Sequence, residues 1–219
     1  NCRHVLALAE KYDAVFAAVG VHPNSSAGWQ DGWIGVLRDL AQHPKVVAIG
    51  EIGLDYYWDK APKVVQQRAL GLQLELAAEL NLPVIIHNRE ASADLVQMLS
   101  GSPLVGRANP GVLHSFSADW PTAVSALDMG YYLGFTGPVT FKKADDLRAV
   151  AQNMPDDRIL VETAAPFLTP HPFRGKRNEP AYVAFVAERL PTKLEVETAV
   201  FARQTPDNAN RLFAKVGEP

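Results

Sequence analysis

Six times along this chain a short apolar run without helical period stops at a polar residue, then passes into a loop and a helical pattern. The runs end at His22, Glu51, His87, His114, Thr136 and Glu162. A run apolar at every residue reads as a strand covered on both faces, the environment of a parallel strand. Strand–helix alternation with right-handed crossovers predicts a parallel sheet. Polar residues gathered at one end of each strand predict an α/β fold of TIM type, a (β/α) barrel with its site at the strands' C-terminal ends. The strands are expected over Val15–Val21, Val46–Ile49, Val84–Ile86, Gly111–Leu113, Tyr131–Phe135 and Ile159–Val161. A closed barrel of this kind uses about eight strands, so about six are expected here, with the shortfall placed before Asn1.

Helices are expected between the strands. Cys2, Val5, Leu6 and Ala9 follow i, i+3, i+4, i+7 spacing, as do Trp33, Val36, Leu37 and Leu40. After Pro62, an apolar face runs through Val65, Ala69, Leu72, Leu76 and Leu80. Asp119 is placed to cap a helix ending near Met129 and Gly130. Shorter helices are expected at Asp145–Gln152, Ala181–Leu190 and Leu194–Phe201, and Thr205-Pro206 reads as the start of a last helix to Val216. With 219 residues, 47% of them hydrophobic, the chain suits one domain over residues 1–219. Its net charge of -3 argues against coating nucleic acid or an anionic membrane by charge alone. Cys2 is the one cysteine, which excludes an internal disulfide framework and suits a reducing, cytoplasmic compartment. No apolar run nears the ~20 residues of a membrane span. No signal peptide is expected, and the absence of an initiator methionine points to a processed, trimmed or incompletely represented N-terminus.

Glu51 lies between Gly50 and Gly53 at the end of an apolar strand. A carboxylate there costs desolvation unless a cation or hydrogen-bond donors meet it. His87 and His114 each follow an apolar triplet, at intervals of 36 and 27 residues, each close to one strand–helix unit. Two imidazoles and a carboxylate converging on one mouth would suit a divalent zinc, manganese or iron ion. The competing reading gives each histidine a loop hydrogen bond and pairs Glu51 with Arg89. Arg89 could also offer a planar fork to a phosphate. Tyr56, Tyr57 and Trp58 follow the Glu51 strand, placed either to stack on bases or to pack on loops. Basic residues cluster at Lys142-Lys143 and at Arg174, Lys176 and Arg177.

Six stretches, AVGVHP (Ala18–Pro23), IGEIGLDYYW (Ile49–Trp58), PVIIHNREA (Pro83–Ala91), GVLHSFS (Gly111–Ser117), GYYLGFTGPVTFKKADDLR (Gly130–Arg148) and ILVETAAPFLTPHPFRGKRNEP (Ile159–Pro180), occur in this order. In them the chain resembles the TatD-type metal-dependent DNases of the amidohydrolase superfamily. The resemblance implies a TIM barrel that hydrolyses DNA phosphodiesters, often from 3′ ends, with one or two divalent metals. It implies metal ligands at Glu51, His87 and His114, and substrate contacts at His22, Arg89 and Arg174. It also exposes two departures. The family's leading His-x-His pair has no counterpart here, and its Glu-Thr-Asp reads Glu162-Thr163-Ala164. That aspartate binds the first metal and handles a water proton, which alanine cannot do. The expectation is therefore a DNA phosphodiesterase impaired in this chain, holding at most one zinc, manganese or magnesium ion firmly. Its partners would be DNA single strands or ends and no membrane, with a second copy or a segment before Asn1 completing the barrel. A non-catalytic descendant that binds nucleic acid or protein is the alternative. An amidohydrolase for small esters or amides fits Arg89 and Arg174 less well than a phosphodiesterase does.

Overall fold

The computed structural model describes residues 2–190 and 198–216. It has two compact units, residues 1–112 with 210–219, and residues 113–209. In the first, α1 (Cys2–Lys11), β1 (Ala17–Val19), α2 (Trp33–Ala41), β2 (Val46–Asp55), α3 (Lys63–Glu79), β3 (Val84–Arg89) and α4 (Ser92–Ser100) follow one another. The short strand β4 (Gly111–Leu113) comes next. The second unit holds α5 (Trp120–Asp128), β5 (Tyr132–Phe135), α6 (Asp145–Asn153), β6 (Ile159–Val161), α7 (Val183–Arg189) and most of α8 (Thr198–Leu212). The six strands belong to one sheet in chain order, and the β1–β2, β2–β3 and β5–β6 pairs are parallel. That is the strand–helix order expected for the barrel. Among the described residues no helix is long and apolar enough to cross a membrane.

β2 is the spine of the first unit. Val46, Ala48, Ile49, Ile52 and Leu54 are all buried, because β1 and β3 flank the strand and helices cover it. It runs well past the expected Ile49, through Gly50 and Glu51 to Asp55, in register with β3 up to the Asp55–Arg89 pair. Apolar content alone could not show this, since the extension carries two glycines and two acids. β3 likewise continues past Ile86 to Arg89, while β1 is shorter than expected. Gly53 makes the β2–β3 extension feasible. Its φ is +144°, and a Cβ there would collide with the carbonyl oxygen of His87.

The long helix α3 departs from its expected face. Val65 and Leu72 are only half-buried, whereas Gln66, Ala69, Leu70, Gln73, Leu74, Leu76 and Ala77 are buried. Two glutamines two turns apart thus face the sheet, and both bond main chain. Gln73 accepts from Val21 N (2.7 Å) and donates to Val21 O (3.3 Å) at the exit of β1. Gln66 accepts from Asp55 N (2.8 Å) and donates to Asp55 O (2.9 Å) and Ala61 O (2.9 Å) at the exit of β2. The satisfied amides are what make polar side chains tolerable in the core.

In the second unit the expected cap is present, with Asp119 accepting from Thr122 N at 3.1 Å. The expected break before a last helix at Thr205 is not. α8 runs continuously from Thr198 to Leu212 with Pro206 inside it. Pro206 forfeits one helical bond, but Asn208 anchors the same segment through bonds from Nδ2 to Asp156 O (2.8 Å) and Ile159 O (2.9 Å). The remainder of the expected Leu194–Phe201 helix, at residues 194–197, lies outside the described residues.

Candidate metal centre

The exit of β1 and the C-terminal halves of β2 and β3 bring His22, Glu51, Asp55 and His87 together in the first unit. His22 follows β1 and opens a 3-10 turn over Pro23–Ser25, where its Nδ1 accepts the Asn24 backbone N–H at 3.1 Å. That leaves Nε2 facing Glu51 Oε1 at 3.5 Å. His87 presents Nδ1 to the same Glu51 oxygen at 2.9 Å and Nε2 to Asp55 Oδ2 at 2.8 Å. The two imidazoles meet edge-on, their centroids 4.4 Å apart. One donor atom from each of His22, Glu51 and His87 lies within 4.8 Å of the others. Two nitrogens and a carboxylate oxygen this close form a donor set that fits a zinc- or manganese-like cation.

Asp55 is almost fully buried, at 1% exposure. Its Oδ1 accepts the backbone N–H groups of Tyr57 (3.1 Å) and Trp58 (3.0 Å), and its Oδ2 accepts from Asn24 Nδ2 at 3.0 Å. Burial pushes its pKa up, but the bonds from Trp58, His87 and Asn24 outweigh burial and hold the carboxyl below its ordinary value.

Arg89, at the end of β3, sets its guanidinium 4.0 Å from the Tyr57 ring centroid and 5.8 Å from that of Trp58. Tyr57 and Trp58 are each 48% exposed. Tyr56 is turned inward, donating to Asp94 Oδ2 (2.7 Å) and accepting from Gln67 Nε2 (2.9 Å). Burial, and then the Asp94 bond, push its pKa up to about 12 from 10.0. A raised folded-state pKa favours the protonated phenol in the fold, so its contribution to stability is intact below pH 10 and is lost as pH rises towards 12. Tyr56→Phe is expected to remove that alkaline loss. Denaturant midpoints measured across this range check it, and identical alkaline slopes in the two proteins would count against it.

In the second unit His114 pairs through Nδ1 with Glu162 Oε2, which also accepts Ser115 N at 3.2 Å. Ser115 Oγ bonds Thr136 Oγ1 at 2.6 Å. Glu162 lies over Gly134, where any Cβ would strike the carboxylate. Arg174 holds its guanidinium 4.3 Å from the Phe141 ring centroid, next to exposed Lys142 and Lys143.

Of the residues expected from sequence, His22, Glu51 and His87 thus form one group, with Arg89 at the end of the same strand as His87. His114 and Arg174 are held by neighbours of their own. His22, expected on the substrate side, stands among the metal-type donors. Asp55, Asn24 and Gln66 were missed. Asp55 had a legible signal, since it lies four residues after Glu51 and even spacing puts both on one face of a strand. Asn24 and Gln66 act through contacts between separate elements and had none.

A family model described as TatD related DNase matches residues 1–214. An uncharacterized metal-dependent hydrolase, YabD of Bacillus subtilis (strain 168), is 46% identical over 208 residues, spanning 94% of this chain and 80% of that protein. The 3′-5′ ssDNA/RNA exonuclease TatD of Musicola paradisiaca (strain Ech703) is 35% identical over 217 residues, 96% of this chain and 81% of that protein. Among solved structures, YjjV, a TatD homolog from Escherichia coli K12, superposes with a TM-score of 0.88 at 33% identity, covering 97% of this chain and 82% of that one.

Proposed function

The chain belongs to the TatD-related DNase family, and from that premise we propose that it is a metal-dependent hydrolase of phosphodiester bonds in single-stranded DNA or at DNA ends. The observation that carries the reading is the pairing of Glu51 Oε1 with His87 Nδ1, with His22 Nε2 facing the same oxygen and buried Asp55 bracing His87. A divalent ion bound there supplies Lewis acidity to a phosphoryl oxygen and an activated water. Glu51 and His87 are its holders in the first unit. Arg89, fixed over Tyr57, offers its planar donors to a phosphate. Tyr57 and Trp58, both half-exposed, offer ring faces on which bases stack. His22 adds a further substrate contact in the same unit.

Ala164 supports a finer reading, that turnover is impaired. A methyl group two residues after Glu162 neither binds a cation nor accepts a water's proton. Digestion of single-stranded DNA with added manganese, with a chelator control and on the complete gene product, tests both levels. Slow chelator-sensitive turnover is expected, rising at least ~100-fold in Ala164→Asp, the scale of a restored acid–base group. Fast turnover without the substitution would refute the impairment. DNA that binds yet stays intact in both proteins would refute the nuclease reading and favour a non-catalytic binder.

A further inference from the structure

We propose that Asp55, working with Asn24, holds the two neighbouring histidines in the same Nε2-protonated tautomer but with opposite nitrogens turned to Glu51, so that His87 offers Nδ1 as a metal ligand while His22 presents its Nε2 proton and acts as a hydrogen-bond donor. The proposal rests on the metal-centre reading above and adds positioning residues to it.

The argument counts donors. An ionised carboxylate only accepts. The partners of Asp55 are two backbone N–H groups, the Asn24 side-chain N–H and His87 Nε2. At 2.8 Å from an acceptor, His87 Nε2 must bring the hydrogen, because a lone pair there would face lone pairs on Oδ2. In the neutral ring the second nitrogen, Nδ1, then carries a lone pair. That nitrogen is the one 2.9 Å from Glu51 Oε1. Two acceptors that close are compatible only when a proton or a cation bonds to both, which is the requirement for a ligand pair.

His22 is the same tautomer with its ring turned the other way, Nε2 towards Glu51. Its Nδ1 receives the Asn24 backbone N–H, so the lone pair is there and the hydrogen of the neutral ring is on Nε2. Ligation through Nε2 would move that hydrogen to Nδ1 and set it against the Asn24 N–H. With that bond kept, His22 donates from Nε2 towards Glu51, or to an anionic oxygen brought beside it. Asn24 therefore serves both rings, its main chain fixing His22 and its side chain sharing the Asp55 oxygen that fixes His87. Asp55 itself cannot drift, since Gln66 clamps its own N–H and C=O. Carboxylates that orient a ligating imidazole in this way are a recurrent device, and losing one typically costs about 10- to 100-fold in metal affinity.

The test is nitrogen NMR of the zinc-loaded protein labelled at histidine, together with zinc titration calorimetry. The expected spectrum has His87 protonated at Nε2 and zinc-bound at Nδ1, and His22 protonated at Nε2 with no nitrogen on zinc. Asp55→Asn places an amide where two pairs of donors converge. It is expected to erase the His87 signature and to weaken zinc binding about 10- to 100-fold. Asn24→Ala, which keeps the backbone N–H, should leave the His22 tautomer in place. Zinc on His87 Nε2 or on His22 would overturn the proposal, as would a folded Asp55→Asn protein with wild-type affinity. The wild-type spectrum decides the matter even where Asp55→Asn does not fold. Zinc bound as described but with DNA left intact would defeat the proposed nuclease activity and leave this assignment standing. A wild-type chain that binds no zinc would defeat both.

Discussion

Gly53→Ala is expected to lose at least ~3 kcal/mol of stability, from backbone strain of about 1–3 kcal/mol plus a main-chain collision. The φ of +144° belongs to a region that residues with a Cβ rarely enter. The new methyl would meet the His87 carbonyl, which is held in the β2–β3 ladder and cannot swing aside as a side chain could. Relief requires β2 and β3 to separate where Glu51, Asp55 and His87 leave them, so the donor group should loosen with the fold. Urea unfolding of the two proteins reads the first effect and zinc titration the second. A variant with an unchanged midpoint and unchanged zinc affinity would show that the close approach at Gly53 is not required.

Glu51→Gln is expected to abolish measurable metal binding while leaving the fold in place, with a loss of at least ~100-fold, or about 3 kcal/mol. Glu51 Oε1 is the atom on which both histidines converge, and its charge offsets that of a divalent ion. The side chain is 35% exposed, so an amide in its place remains solvated and little folding energy is at stake. Calorimetric titration with zinc or manganese, alongside circular dichroism, separates the two effects. Retained affinity would mean that the ion is held elsewhere.

The parts of the fold that could be read from sequence are those governed by local pattern. Continuous apolar runs gave away the strand cores, and Asp119 announced its helix start. Glu51 and His87 were visible because an ionisable residue closing an apolar run needs a reason to be there. What escaped was polar structure satisfied at long range. Gln66 and Gln73 look like surface residues on α3 until the strand exits they bond are in view, and they shifted the buried face away from Val65 and Leu72. Pro206 looked like a boundary because the bonds that Asn208 sends to Asp156 and Ile159 cannot be read from neighbouring residues. The tautomers of His22 and His87 depend on partners up to 32 residues away, beyond any local motif.

The two glutamines of α3 have a consequence for how such a chain can change over time. Each bonds only peptide groups, Gln73 those of Val21 and Ala69 and Gln66 those of Asp55 and Ala61, and is indifferent to the side chains that follow. The helix works as a jig that fixes where two strands let go of the sheet, whatever the loops beyond them carry. Residues such as Tyr57 and Trp58 can therefore be exchanged by mutation, altering what the protein grips, without moving the frame that aims His22 and Asp55. Innovation is left to the loops, and the conservative burden falls on two amides that never touch the outside.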